Sequence, residues 1–182
     1  MGRDKAWLPL GGQPLIQRQI DLVRELAPLE VFISGRKDTD YSRLGCPVLH
    51  DGWADAGPLA GLERALAAAS APLVLVLAVD LPNMKTSLLR RLAVDCAGVQ
   101  GAIPRLNDLV EPLAAFYPKS AHALAVAQLG DSHYAVKSFA ELCVRSGLAK
   151  FYDVPEMEAA CFANLNTPPK LYQMAGRDSI EP

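Results

Sequence analysis

Apolar residues recur at helical spacing in several parts of the chain. Between residues 15 and 27 they return every three or four positions, which predicts one buried helix face. A Gly-Gly-Gln turn followed by Pro14 precedes this segment, and proline suits the first position of a helix. The same pattern predicts further helices over residues 57–70, 87–97, 120–129 and 138–146.

Other apolar segments have the length and composition of strands. Residues 73–79 are apolar at every position, which is typical of a strand covered on both faces. Shorter strands are predicted at 30–34, 47–49, 100–104 and 113–117, with extended pieces at 151–154 and 161–165 and a final turn or helix from Pro168. Strand and helix alternate in the first half, which predicts an α/β fold: a three-layer, Rossmann-like sandwich with a mostly parallel central sheet flanked by helices.

Composition and net charge limit the kinds of domain organisation and binding partner that we expect for this protein. The 182 residues are 51% hydrophobic and show no linker, so we expect residues 1–175 to form a single domain, with a polar tail at 176–182. A net charge of -2 provides no broad basic surface, so neither a nucleic acid nor a membrane is expected as a partner. No signal sequence or long apolar run occurs, which predicts a cytoplasmic protein. Four cysteines without paired spacing indicate buried free thiols.

Candidate chemistry is sought where strands end, because ligands of open parallel sheets bind beyond the carboxyl ends of the strands. Asp80 directly follows the most apolar strand, and a carboxylate on a rigid strand end is the kind of ligand that Mg²⁺ takes at phosphate-transfer sites. The alternative is that Asp80 only begins a turn before Pro82.

Two more segments could bind phosphate. The stretch from Asp51 through Gly57-Pro58-Leu59-Ala60-Gly61 leads into a helix whose first N–H groups could receive a phosphate or a base edge, although Ala60 and Gly61 could equally serve helix packing. Lys5 follows Gly2-Arg3-Asp4 and could place a positive charge on a triphosphate, or could be a solvated surface side chain. Residue chemistry alone thus leads to an α/β domain with a candidate phosphate and Mg²⁺ site.

Taken together and in order, five motifs resemble the molybdenum cofactor guanylyltransferases over nearly the whole chain. They are Gly2-Arg3-Asp4-Lys5-Ala6 with Leu8-Pro9-Leu10 and Pro14-Leu15-Ile16, Asp51 with Gly57-Pro58-Leu59-Ala60-Gly61, Val79-Asp80-Leu81-Pro82, Glu111-Pro112-Leu113, and Asn164-Leu165-Asn166-Thr167-Pro168. The resemblance implies a nucleotidyltransferase that joins GMP from GTP to molybdopterin-bound molybdenum, releases pyrophosphate and requires Mg²⁺.

The resemblance also implies roles for individual residues. Lys5 and Asp80 are the implied catalytic residues, with Lys5 on the GTP phosphates, Asp51 in contact with GTP, and Asp80 touching the nucleotide and binding Mg²⁺. Gly57, Pro58 and Leu59 would line the nucleotide pocket. Asn164 and Asn166 would lie at the molybdopterin end, although asparagine is also a routine turn residue.

Several alternatives stay open within this interpretation. Related cytidylyltransferases carry a serine-rich sequence where this chain has Gly-Pro-Leu-Ala-Gly, which favours guanine over cytosine. A cytidylyltransferase, a sugar-phosphate nucleotidylyltransferase or a non-catalytic accessory protein of the same fold are the alternatives. The expected partners are GTP, molybdopterin, and molybdoenzymes or their chaperones. Arg36 and Arg105 are loop cations that could reach the anionic cofactor, although a surface position is the favoured expectation for both.

The start of the chain departs from the family pattern. Family members carry a strand and a Leu-Ala-Gly-Gly loop upstream of the Met-Gly-x-Asp-Lys segment, whereas the given sequence starts at that methionine. We expect a start codon upstream of Met1 rather than a decayed gene. If the chain exists only as written, we expect weak or no catalysis and reduced stability relative to an upstream-extended chain.

Overall fold

The computed structural model describes residues 5–96 and 98–165. Five helices occur in these residues: α1 (Leu15–Arg24), α2 (Pro58–Ala68), α3 (Thr86–Asp95), α4 (His122–Gly130) and α5 (Val136–Arg145). The strands are β1 (Pro9–Leu10), β2 (Gln13–Pro14), β3 (Ile33–Ser34), β4 (Val48–Leu49), β5 (Leu73–Leu77), β6 (Gly101–Leu106), β7 (Leu109–Val110), β8 (Ala114–Pro118) and β9 (Ala149–Asp153). No helix in this part of the chain is long and apolar enough to cross a membrane.

The main sheet is mixed, which corrects the expectation of a mostly parallel one. Its strand order is β5-β8-β6-β7, with β9 beside β6. Strand β8 is antiparallel to both β5 and β6, and only β6 and β9 pair in parallel among the described strands of this sheet. The reason is local: a short turn between β6 and β7 reverses the chain direction, and β8 follows in the same direction as β7, so both pair with β6 in antiparallel fashion. Strands β3 and β4 form a separate parallel pair.

The predicted three-layer α/β architecture is confirmed. Buried side chains of α2, α4 and α5 pack together on one face of the main sheet. On the opposite face, α3 packs with Leu22 and Leu26 of the α1 region. Successive residues of β6 and β8 alternate between the two clusters; Ala102 contacts one and Ile103 the other. The sheet is therefore covered by helices on both sides.

Strand β5 shows why the 73–79 segment is apolar throughout. Val74 and Val76 pack against the α2 side, whereas Leu73, Leu75 and Leu77 pack against the α3 side. Both faces are covered, as predicted. Each of these five residues is nevertheless only half-buried, because β5 is the terminal strand of the described sheet and pairs with β8 alone.

Some predicted elements differ from the observed ones. Helix α1 ends at Arg24 rather than Ala27, because Ala27 has a φ of 52° and precedes Pro28, and neither continues a helix. The extended piece predicted at 161–165 is wrong: a 3₁₀ helix spans Glu156–Phe162 and no strand follows it up to Leu165. The turn or helix predicted from Pro168 and the tail at 176–182 lie outside the described residues.

Candidate functional site

A pocket of about 450 Å³ opens where β3, β4 and β5 end. The described residues that line it are Ala6, Ile16, Ser34, Gly35, Arg36, Lys37, Tyr41, His50, Asp51 and Val79. Segments that are far apart in the sequence thus meet at the carboxyl ends of three strands. This is the place where α/β sheets bind ligands.

The loop after β3 forms one wall of the pocket and is fixed by polar contacts. Nδ1 of His50 lies 3.0 Å from the carbonyl oxygen of Gly35, so it carries the proton and donates to that oxygen. The Arg36 amide donates to the Tyr41 hydroxyl at 3.3 Å. A Cβ on Gly35 would lie 2.5 Å from the Tyr41 ring, so only glycine permits this close approach.

The segment before β1 forms the neighbouring wall. Lys5–Trp7 is a 3₁₀ turn in which Ala6 is buried and lines the pocket, while Lys5 is exposed beside it. The Trp7 ring stacks on Tyr41 at 6.0 Å between centroids. This packing ties the segment to the β3–β4 side and places the Lys5 backbone next to the pocket.

Asp80 follows β5 and adjoins the pocket through Val79. Its carbonyl oxygen accepts a hydrogen bond from the Leu165 amide at 3.1 Å, which brings exposed Asn164 next to the Asp80 backbone. Asn166, the second asparagine assigned by resemblance, lies outside the described residues. The structure therefore brings Asp51, Asp80 and Asn164 to one end of the fold.

Glu111 lies near Asp80, just beyond the β5–β8 pair. The antiparallel register aligns Leu77 with Ala114, and the Ala78 amide continues it by donating to the Leu113 carbonyl at 2.7 Å. Both segments turn just beyond this bond, at residues 79–80 and 112–113, so Asp80 and Glu111 leave the sheet near each other. Burial, and secondly the negative charge of Asp80, raise the pKa of Glu111 above its ordinary value. Sequence analysis used Glu111 only as part of a motif and assigned it no role.

The start of α2 is not part of the described pocket lining, although the resemblance implied that it would be. Gly57 has φ 64° and ψ -158°, a conformation essentially confined to glycine, and Pro58 occupies the first turn of the helix. The Leu59 side chain is fully buried in the core. Gly57, Pro58 and Leu59 are not among the described residues that line the pocket, so their role as nucleotide contacts stays a prediction.

For Ala60 and Gly61 the structure favours helix packing, the alternative left open by the sequence. Ala60 is fully buried in the core cluster of α2. A Cβ on Gly61 would lie 2.2 Å from the Ser34 hydroxyl oxygen. Gly61 thus acts on the pocket indirectly, because it lets α2 approach the end of β3.

Sequence reasoning missed several pocket residues. Arg36, for which a surface position was favoured, is exposed and also lines the pocket together with Lys37. His50 and Ser34 also line it and were not assigned. All four follow or end a strand, so the strand-end rule that selected Asp51 and Asp80 could have selected them.

Comparison with known proteins identifies the family. Residues 1–145 match the family model described as a MobA-like NTP transferase domain. The chain belongs to this family. A relative from Opitutus terrae, named a probable molybdenum cofactor guanylyltransferase, is 38% identical over 171 residues, which cover 92% of this chain and 85% of the relative. The molybdenum cofactor guanylyltransferase of Cupriavidus metallidurans is 28% identical and covers 94% of this chain and 85% of its own.

Solved structures share the fold of this MobA-like chain. The molybdopterin-guanine dinucleotide biosynthesis protein A of Archaeoglobus fulgidus superposes with a TM-score of 0.77 at 23% identity, covering 98% of this chain and 92% of its own. The 2-C-methyl-D-erythritol 4-phosphate cytidylyltransferase of Thermus thermophilus gives 0.76 at 18% identity, covering 97% and 94%. At such identities the likeness establishes the nucleotidyltransferase fold alone.

Proposed function

We propose that this protein is a molybdenum cofactor guanylyltransferase, which transfers GMP from GTP to the phosphate of molybdenum-bound molybdopterin. The observation that carries the proposal is the convergence of Ala6, Asp51 and Val79 on one pocket. Each of these residues belongs to, or adjoins, a motif that resembles the family, and family membership is independent of that geometry. The pocket volume of about 450 Å³ falls in the range of small-molecule sites.

In the proposed reaction, an oxygen of the molybdopterin phosphate attacks the α-phosphorus of GTP. A new P–O bond forms there, the bond between the α-phosphorus and its bridging oxygen breaks, and pyrophosphate leaves with that oxygen. Lys5 is the proposed source of positive charge on the triphosphate, and Asp51 the proposed nucleotide contact. Cationic side chains stabilise phosphoryl-transfer transition states because negative charge accumulates on the oxygens. No nucleophilic side chain is needed.

The residues around Asp80 fit a Mg²⁺ ion. Two carboxylates, Asp80 and Glu111, lie near each other beyond the paired residues of β5 and β8, and neither makes a side-chain ion pair or hydrogen bond with another described residue. Oxygen ligands of this kind suit Mg²⁺, which commonly takes one or two carboxylates besides phosphate oxygens. When bound, the ion would neutralise charge on the phosphates, with Asp80 as its proposed ligand.

We propose that Asn164 lies on the side of the site that binds molybdopterin, the acceptor of GMP. The amide of its neighbour Leu165 donates a hydrogen bond to the Asp80 carbonyl, so Asn164 lies beside the proposed cation ligand. We propose molybdopterin as its ligand, and Asn166 as a second contact. Molybdoenzymes or their chaperones as recipients, and the cytoplasmic location, stay predictions.

A turnover assay tests the proposal. Purified protein is incubated with molybdopterin-bound molybdenum, Mg²⁺ and either GTP or CTP, and pyrophosphate release is followed. We expect release with GTP and the acceptor together, and none when the acceptor is omitted. Pyrophosphate release with CTP in preference to GTP would indicate a cytidylyltransferase instead. No release with either nucleotide would contradict the proposed activity.

Two aspartates of one loop provide a matched pair for the same assay. Asp51 lines the pocket, whereas Asp55 is exposed and is not among the described lining residues. We expect Asp51→Asn to raise the KM for GTP by about tenfold, the equivalent of about 1.4 kcal/mol. Asp55→Asn should leave the KM unchanged, and asparagine tolerates the φ of 53° at that position. Equal behaviour of the two variants would contradict the role of Asp51.

A further inference from the structure

Gln19 on α1 is a buried polar residue without an evident structural need. Only 8% of its surface is exposed, and among the described residues Gln128 is the other buried polar side chain. Its Nε2 donates to the Leu81 carbonyl oxygen at 2.7 Å. Its Oε1 is buried and has no hydrogen-bond partner within the described part of the chain. An unpaired buried amide oxygen costs about 1–3 kcal/mol.

The Leu81 carbonyl does not require this hydrogen bond. It already accepts the Met84 amide at 3.1 Å, so it would remain paired if Gln19 were apolar. A leucine or methionine of similar volume at position 19 would remove the orphaned oxygen and still fill the space. Fold stability alone therefore does not account for a glutamine here.

What the hydrogen bond fixes is the turn that carries Asp80. The Asp80 carbonyl is held from one side by the Leu165 amide, and Gln19 holds the next peptide unit from the side of α1. Ile16 lies one helical turn before Gln19 on the same face and lines the pocket. One face of α1 thus contacts both the pocket and the Asp80 turn.

The Asp80 turn needs such a restraint because of Glu111. The two carboxylates lie near each other beyond the paired residues of β5 and β8, and like charges repel. Without tethers on the backbone, repulsion would favour conformations in which the Asp80 carboxylate turns away from Glu111. Oxygen ligands for a divalent cation must instead converge.

We propose that Gln19 is a positioning residue, which holds the Asp80 carboxylate in place for the divalent cation at some expense of fold stability. This inference rests on the proposed function, in which Asp80 is the cation ligand. It yields a signature that a purely structural residue would lack: removal of the amide should weaken cation binding without lowering the free energy of unfolding.

The test uses Mn²⁺ alone as the probe, titrated into the full chain and followed by electron paramagnetic resonance of the free ion. For Gln19→Leu we expect the Kd of Mn²⁺ to rise about tenfold, the lower end of the effect of groups that orient a metal ligand. Urea unfolding should show equal or higher stability than the wild type. Gln19→Met is the second variant, with the same expected result, in case leucine does not fit the site.

Gln128→Leu is the matched control. Gln128 is equally buried, on α4, and its Nε2 donates to the carbonyls of His133 and Ala135. The Ala135 carbonyl also accepts the Phe139 amide, but the His133 carbonyl would lose its donor, so the protein should lose stability while the Kd of Mn²⁺ stays unchanged. The same Kd for Gln19→Leu, Gln19→Met and wild type would overturn the inference.

Asp80→Asn separates failure of the inference from failure of the proposed function. If the wild type binds Mn²⁺, Asp80→Asn does not, and the Gln19 variants bind like the wild type, the proposed function stands and the inference is overturned. If the wild type does not bind Mn²⁺, or Asp80→Asn binds it equally well, the cation assignment fails and the inference fails with it.

Discussion

Glu111 and Asp80 are the residues in which folding and the proposed chemistry conflict most directly. Partial burial of Glu111 raises the cost of its charge, and the nearby negative charge of Asp80, just beyond the β5–β8 pairing, adds to this cost. A bound cation would lower this electrostatic cost, whereas without a cation the cost reduces the stability of the native state. The energetic consequence can be measured through the dependence of stability on pH.

Glu111→Gln should stabilise the protein at neutral pH. A raised native pKa means that the native state binds more protons than the unfolded state in the window between the ordinary pKa of 4.5 and the raised one. The free energy of unfolding therefore falls as pH rises through this window. In buffer free of divalent cations, we expect Glu111→Gln to exceed the wild type in stability at pH 7 and to match it below pH 4.5.

The measurement is urea unfolding at a series of pH values. Asp108→Asn is the control, because Asp108 is an exposed acid in the neighbouring β6–β7 turn, and its φ of 67° is tolerated by asparagine. This variant should follow the wild-type pH dependence. A stability difference between Glu111→Gln and wild type that stays constant from pH 4 to pH 7 would contradict the explanation.

At the scale of elements, the start of α2 depends on one backbone conformation. Gly57 combines φ 64° with ψ -158°, which allows the loop from Asp51 to enter the helix at Pro58. Helix α2 then packs against β3, where Gly61 approaches Ser34 in the pocket wall. The shape of the pocket therefore depends on a glycine that does not line it.

Gly57→Ala should destabilise the protein by about 1–3 kcal/mol, because a side chain makes this backbone conformation strained. A steric clash does not contribute, since no described atom lies within 4 Å of the position that the Cβ would take. Thermal or urea unfolding measures the loss. Gly52→Ala is the matched control from the same loop: its Cβ would also meet open space, and its φ is not in the left-handed region. Equal losses of stability for the two substitutions would show that the loss does not come from the backbone conformation of Gly57.

Sequence patterns predicted the elements better than their arrangement. The helix before Ala27, the apolar strand at 73–77 and the α2 start at Pro58 follow from local spacing and from glycine and proline, and they are present. The antiparallel placement of β8 and the position of Glu111 near Asp80 depend on strand register. Register joins residues about 30 positions apart, and local periodicity does not encode it.

The same limit applies to the site. Asp51 and Asp80 could be selected because each follows a strand, whereas Arg36 was set aside as a surface cation although it also follows one. Gln19 could not be selected, because its polar atom is hidden in an amphipathic helix and acts through Leu81, 62 residues away. Contacts of this kind become visible only when the fold is known.

At the scale of the whole molecule, two helical layers enclose the sheet and bury most of the thiols. Cys143 lies in the α2–α4–α5 layer, and Cys96 and Cys161 lie in the α3 layer. Burial raises the pKa of Cys143 to about 12 and that of Cys96 to about 11. Cys46 is half-buried and belongs to neither layer. The expectation of buried free thiols is thus confirmed for three of the four cysteines.

Thiol labelling should report the integrity of both layers at once. In native buffer we expect Ellman's reagent to modify Cys46 alone, because the other three thiols are buried and the raised pKa of Cys143 and of Cys96 leaves little reactive thiolate there. In urea all four should react, with the three buried thiols following the unfolding transition measured by circular dichroism. Rapid native labelling of Cys143 would contradict the packing of the α2–α4–α5 layer.

The claim that organises the whole molecule is that strand ends and the segment around Lys5 build one guanine nucleotide site. Calorimetric titration of the chain with GTP and then CTP, in the presence of Mg²⁺, tests it most directly. We predict saturable GTP binding that Asp51→Asn weakens, and no saturable binding of CTP. Absence of GTP binding, or equal binding of the two nucleotides, would contradict the account.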